Sequence, residues 1–433
     1  MLNLSLLSRL GAKFGSALKS PSLRGVFVIL SSRLLRIFLQ GGYFITLART
    51  LGAEQYGLFV GVLALVKLMA PFASWGSPQI LVKHVSRSRE NFARYWGNAL
   101  LTCLGFGTLC LIIVCLVAYS LFSNTLPITI IVCVGIAEFI FARFHDVSLK
   151  AFLAMERLSS NAQLVVFNTF MNLAAALCLA FFFSQPTAIT WGFLYLASRM
   201  ILGLAAVGLV IAQCGMPTLA PSLIRAEILE GFYFSVGLSA QTVYNDVDKT
   251  MLARLSTFNA TGIYGAAYRI LDVAMTPVMA ALTTVYAKFF RKGAQGIRGS
   301  VAVAQKVLPL VGVYSLISSL ALCLFAPLVP RILGDEYSTA VAAIRWLSPL
   351  LVFKTLQYFA ADTLTGAGYQ SVRTALQVSL ALFNGIANLW LIPLYSWKGA
   401  AWSSLISDGL LAISLWLLVF YFARVQARPA IRR

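Results

Sequence analysis

Long apolar runs separated by short polar connections dominate the chain. Twelve runs, each of roughly 20 or more residues and so long enough to cross a bilayer, lie over 22–48, 55–80, 95–122, 126–147, 160–184, 187–213, 230–255, 261–288, 303–329, 338–365, 372–395 and 398–423. Within each run the apolar residues are continuous rather than alternating, which excludes barrel strands. A backbone in lipid must satisfy its own hydrogen bonds, so each run is predicted to be a helix. The predicted class is an all-α polytopic membrane protein of about twelve transmembrane helices.

The connection between the first two runs recurs. Leu47–Val60, LARTLGAEQYGLFV, matches Leu252–Gly265, LARLSTFNATGIYG, at a 205-residue offset. Leu-Ala-Arg repeats in register and Gly57 falls on Gly262. Each copy joins the first and second runs of its own half, which predicts one six-helix unit used twice. Six is even, so both copies enter the membrane from the same side. The two bundles are then related by a parallel pseudo-two-fold axis along the membrane normal, with a cavity between them. The expected divisions are an amphipathic segment over 1–21, bundles over 22–214 and 230–424, a linker over 215–229 and a basic tail over 425–433.

Charge orients this arrangement. The chain of 433 residues is 59% apolar and 11% charged, against about 25% charged in soluble domains. A net charge of +20 would suggest nucleic acid in a soluble protein, but here Lys and Arg collect in alternate loops. That asymmetry predicts both termini in the cytoplasm and no nucleic-acid partner. Residues 1–21 lack the apolar core of a signal peptide. Leu7, Leu10, Phe14 and Leu18 share one helical face beside Arg9, Lys13 and Lys19, the pattern of a helix lying on membrane lipids. The seven cysteines lie in or beside apolar runs without a CxxC and read as small packing residues. His84 and His145 sit far apart in basic stretches, so no metal site and no cofactor are expected. Gln40-Gly41-Gly42, Pro71, Gly76, Pro277 and Pro349 are candidate helix breaks.

Ionisable residues at bilayer depth cost at least about 2.5–3.5 kcal/mol each and so face a cavity or a partner. The first half holds Arg33, Arg36, Lys67 and Arg199 against Glu138. The second holds Arg269, Arg345 and Lys354 against Asp246, Asp248, Asp272, Asp362 and Asp408. Arg33, Arg36 and Gln40 form one stripe on the first helix. Lys67 and Asp272 occupy equivalent positions under the repeat. Arg33, Arg36, Gln40, Lys67 and Arg269 are the candidate ligand-facing residues, suited to a phosphate or diphosphate. The competing reading is internal ion pairing, above all Arg269 with Asp272. No catalytic constellation is visible.

Three segments carry a family resemblance. ARTLGAEQYGLFVGVLALVKLMAPFASWGSPQILVKHVSR resembles the opening of polysaccharide and O-antigen flippases of the multidrug/oligosaccharidyl-lipid/polysaccharide exporter superfamily. NDVDKTMLARLSTFNATGIYGAAYRILD resembles that family's seventh and eighth helices, and NGIANLWLIPLYSWKGAAWSSLIS its eleventh and twelfth. The resemblance covers about residues 22–423. It implies a V-shaped pair of bundles alternating between inward-open and outward-open states in a bacterial inner membrane. It implies as substrate a polyprenyl-diphosphate-linked oligosaccharide moved from the cytoplasmic to the periplasmic leaflet, where glycan polymerisation machinery would receive it. No ATP-binding loop is present, so a proton or sodium gradient is the expected drive, with Asp248, Asp272, Asp246 and Glu138 as candidate coupling groups. Asp246 and Asp248 lie two apart, so at most one should line the cavity. Asp248 aligns with the acidic position of the family's motif and is favoured. A multidrug exporter of the same superfamily is the alternative, although such a protein would want an acidic first-half cavity. A membrane polymerase or ligase fits less well, because the outer loops are short and carry no His.

Overall fold

Gly52 breaks what is otherwise a single helix, α1, over Pro21–Ala73. Fifty-three residues of straight helix would run about 80 Å, far more than a bilayer core of about 30 Å. At Gly52 the backbone takes φ 70° and ψ 172°, a conformation open to glycine, and the chain reverses as two limbs. The expected hinge is therefore one residue wide. The computed structural model describes residues 21–122 and 126–426, except the side chains of 21–37, 121, 122, 237, 240, 241 and 243–245. The expected surface segment at the N-terminus and most of the basic tail lie outside these residues.

The first half continues with α2 (Ser77–Val85), α3 (Phe92–Phe122), α4 (Ile128–Ile136), a π-helical turn over Ala137–Phe141, α5 (Ala142–Ala154), α6 (Leu158–Phe182) and α7 (Ala188–Cys214). The second half holds α8 (Pro221–Leu255), α9 (Phe258–Gly293), α10 (Ile297–Phe325) and α11 (Val329–Leu333). A 3-10 turn, Asp335–Tyr337, leads into α12 (Ala340–Leu347), α13 (Leu350–Gly366), α14 (Gln370–Tyr395) and α15 (Trp397–Val425). No strand occurs among the described residues. Counting the two limbs of α1 separately, with α2 continuing the second limb, α11 continuing α10, and α4–α5 and α12–α13 as one span each, gives twelve spans in two six-helix bundles. Nine helical stretches among the described residues are by themselves long and apolar enough to cross a membrane.

Three expected breaks are absent. The helix runs through Gln40-Gly41-Gly42 and through Pro71, and α9 runs through Pro277. At Pro71 the reason is visible: Ser235 and Ser239 of α8 donate to the carbonyls of Pro71 and Leu68, 3.1 Å each. Neighbouring hydroxyls of this kind support a proline-disturbed helix in lipid. Pro349 does sit at a break, between α12 and α13.

The halves meet along small residues. Lipid gives helices no hydrophobic reason to associate, so close backbone packing holds them. A Cβ at Gly57 would lie 1.7 Å from the Phe258 carbonyl oxygen, and one at Gly262 would lie 1.9 Å from that of Ala53. Ala253 packs on Gly61, and Val60 on Gly265. Large apolar side chains point outward all round, among them Phe181, Leu310 and Trp390, each more than 70% exposed and suited to lipid. All seven cysteines are free thiols.

Candidate functional site

Next to this seam, away from the Gly52 end, a cavity of about 360 Å³ opens between the halves. One face of the second α1 limb lines it: Tyr56, Phe59, Val60, Leu63, Ala64 and Lys67, at helical spacing. Across the cavity stand Gly265, Tyr268, Arg269 and Asp272 of α9, with Asp246 and Lys249 of α8. Thus Lys67 and Asp272, equivalent under the repeat and opposite in charge, face one space.

The first half builds its wall from the π turn. Glu138 lies in that turn, 5% exposed. Tyr195 of α7 donates to its carboxylate, and Arg199 stands 3.8 Å away. Arg199 also donates to Asn168 (2.7 Å) and to the Tyr195 hydroxyl (3.0 Å). Arg143 donates to the Glu138 backbone carbonyl (3.1 Å) and pairs with Asp146 at 2.9 Å. A π turn places residues five apart on one face, which brings Arg143 under Glu138.

This changes the expected charge balance. Arg143, His145 and Asp146, not among the candidate residues, lie in α5 and line the cavity. The first half therefore contributes two carboxylates here, Glu138 and Asp146, to three cations, Lys67, Arg143 and Arg199. Asn168, Asn172 and Tyr195 also line the cavity and were not singled out from sequence. The spacing of Tyr195 and Arg199, i to i+4, was the available signal.

The second half separates its two aspartates. Asp246 lines the cavity, 2.5 Å from Lys249. Asp248, favoured for that position, is 4% exposed and turns into its own bundle. It accepts from the Tyr264 hydroxyl (2.6 Å) and the Lys249 backbone N–H (2.7 Å), and Tyr264 lies 3.2 Å from the Ser404 hydroxyl. Lys354 and Asp408 are buried together at 4.0 Å, with Lys354 5.5 Å from the Tyr268 ring centre.

Arg269 and Asp272 do not pair: no ion pair within 4 Å joins them, and neither side chain makes a hydrogen bond among the described residues. The same holds for Lys67, although it lies within electrostatic reach of Glu138 and Asp246. Gln40 is half-buried on the first limb, outside the cavity lining. The side chains of Arg33 and Arg36 lie outside the described residues. Among the described residues no three His, Cys, Asp or Glu side chains group as metal ligands.

Residues 22–289 match the sequence profile of a family described as polysaccharide biosynthesis protein. The chain belongs to that family. It is also 20% identical over 378 residues to a protein of Escherichia coli (strain K12) named "Putative O-antigen transporter", covering 86% of this chain and 90% of that one. Among solved structures, an inward-facing multidrug-resistance MATE transporter of the MOP superfamily superposes with a TM-score of 0.73 at 15% identity, covering 91% of this chain and 96% of the other. The lipid II flippase MurJ in an inward closed conformation gives 0.70 at 11% identity, covering 91% and 87%. This family member therefore has the two-bundle MOP fold.

Proposed function

We propose that the protein is a flippase that carries a polyprenyl-diphosphate-linked oligosaccharide from the cytoplasmic to the periplasmic leaflet of a bacterial inner membrane by alternating access. The observation that carries this reading is the pair of uncommitted cations in the cavity. Glu138, Asp146 and Asp246 each have a cationic neighbour within 4 Å, whereas Lys67 and Arg269 have no carboxylate within that distance among the described residues. A diphosphate brings about two negative charges and several acceptor oxygens, which a guanidinium can grip bidentately. Arg33 and Arg36, on the first limb, are proposed to extend this anion path. The glycan would occupy the aqueous cleft while the prenyl tail stays in lipid.

The basic loops support an orientation with both termini and the open cavity side in the cytoplasm and the Gly52 end in the periplasm. The likeness to an inward-facing transporter agrees with a seal at the Gly52 end. Family membership and the likeness to the Escherichia coli protein support a glycan cargo. A proton or sodium gradient read by Asp248 is the proposed drive, and glycan-polymerising machinery the proposed recipient.

Reconstitution tests the reading. Vesicles holding the purified protein should move a labelled polyprenyl-diphosphate glycan between leaflets, and Lys67→Ala or Arg269→Ala should stop it. Export of organic cations without glycan movement would instead make it a multidrug exporter.

A further inference from the structure

We propose that the turn Asp335–Tyr337 of the second half is a lock that holds the Gly52 end closed by capping the broken helix of the first half. The proposal rests on the alternating-access reading above.

A helix break leaves carbonyls without partners on one side and N–H groups on the other. The two halves treat their equivalent breaks differently. At the 205-residue offset Gly52 corresponds to Thr257. Thr257 caps its own helix, its hydroxyl accepting from the Ala260 N–H at 3.1 Å. Gly52 has no side chain and cannot do this.

Its partners come from the other half. The Glu336 carboxylate accepts from the Ala53 N–H at 2.9 Å, where α1 resumes. The Tyr337 hydroxyl donates to the Ala48 carbonyl at 3.1 Å, where the first limb ends. The charges also suit the helix ends, an anion at an N-terminus and a donor at a C-terminus. A Cβ at Gly52 would lie 2.4 Å from the Glu336 carboxylate, so glycine is also what admits the cap. Tyr337 is fully buried and Glu336 is exposed, so the lock has a packed part and a part that water can reach. Burial raises the Tyr337 hydroxyl well above its ordinary pKa, so it stays a donor.

Both bonds cross between halves, so separating the halves at this end breaks both. The second half's break keeps its cap, because that cap is internal. Beside the seam packing of Gly57 and Gly262, Glu336 and Tyr337 supply these polar bonds that opening must break. Loss of one helix cap shifts a two-state equilibrium by about fivefold.

The test uses the full-length protein with its seven cysteines replaced by serine and Leu63→Cys added as a reporter on the cavity wall. Spheroplasts expressing it are treated with a membrane-impermeant maleimide, and inverted membranes are treated in parallel. Glu336→Ala and Tyr337→Phe should each raise labelling from the periplasmic face about fivefold and lower it from the cytoplasmic face. Glu336→Gln, which keeps an acceptor oxygen and the side-chain volume, should give a smaller rise. Labelling from both faces that is unchanged in Glu336→Ala and Tyr337→Phe, in protein that elutes as a single species, overturns the lock. Should Tyr337→Phe misfold, the two Glu336 variants decide alone. The assay needs no substrate. A wild-type protein that fails to flip glycan in vesicles refutes the flippase reading and leaves the lock result standing.

Discussion

Gly57 and Gly262 lie against each other at the seam, each too close to the opposite backbone to admit a Cβ. They are equivalent under the 205-residue repeat. Gly57 sits on Phe258 and Gly262 on Ala53, the equivalent of Phe258. Residue i meets j′ and i′ meets j, as in an isologous dimer interface. The pseudo-two-fold axis passes through this contact.

A methyl group at either glycine should therefore push the halves apart. Gly57→Ala and Gly262→Ala are each expected to cost about 1–3 kcal/mol, the range for overpacking a tight contact. Because both act on one contact, the double variant should cost clearly less than the sum. Thermal unfolding in detergent across the double-mutant cycle measures this, and additive losses would mean the two sites are independent.

Glu138 anchors the first-half wall. Glu138→Gln removes the carboxylate between Arg143 and Arg199, and breaking a buried pair costs about 3–5 kcal/mol. The lower end is expected, since Arg143 keeps Asp146 and Arg199 keeps Asn168. Tyr195→Phe removes the hydroxyl's two charged hydrogen bonds, to Glu138 and from Arg199, but leaves those two charges 3.8 Å apart to compensate each other, so a loss of about 1.5–3 kcal/mol is expected. Melting temperatures should rank wild type, Tyr195→Phe and Glu138→Gln in falling order, and a reversed order of the two variants would refute this account.

The fold was legible because its signals are local: twelve apolar runs, and a hinge whose two copies keep Leu-Ala-Arg in register. The cavity was half legible. Lys67, Asp272 and Arg269 stood out as charges in the middle of apolar runs, where lipid leaves them few other places to go. Arg143 and Asp146 did not, because they lie at the end of the 126–147 run, where charges ordinarily reach water, whereas α5 continues to Ala154. The π turn that sets Arg143 beneath Glu138 has no signature in residue order. Nor does the partnership of Glu336 with Ala53, which depends on a contact between distant parts of the chain.

The proposed anion site has a quantitative consequence. Truncating a charged partner of a buried contact costs about 2–5 kcal/mol, so Lys67→Ala or Arg269→Ala should weaken the apparent affinity for lipid-linked diphosphate roughly 30-fold or more. Arg269→Lys should recover part of this, because the charge remains while the fork is lost. Exchanging the equivalent pair, Lys67→Asp with Asp272→Lys, keeps the net charge of the cavity. It should restore more transport than either single change. Titration of flipping rate against substrate in vesicles reads each of these variants, and a wild-type affinity in Lys67→Ala with Arg269→Ala combined would remove the diphosphate assignment.

Asp246 and Asp248 are proposed to divide the work, Asp246 as a structural carboxylate and Asp248 as the coupling one. Asp246 lines the cavity, but its charge is committed to Lys249 at 2.5 Å. Asp248 is buried and makes no ion pair within 4 Å among the described residues. Its acceptor capacity goes to the Tyr264 hydroxyl and one backbone N–H. An ionised carboxylate placed so is costly unless something compensates it. On the proposed coupling, a proton or a small cation taken up in one state of the cycle and released in the other would supply that compensation and tie the bundle's conformation to a gradient. Asp248→Asn keeps the shape and imitates the neutralised form permanently. It should still bind lipid-linked glycan, yet its flipping in sealed vesicles should no longer respond to an imposed proton or sodium gradient. Asp246→Asn releases Lys249 and should lower stability while the gradient response persists. Vesicle assays with and without an imposed gradient distinguish the two, and a full gradient response in Asp248→Asn would assign that carboxylate to the packing of α8 on α9 instead.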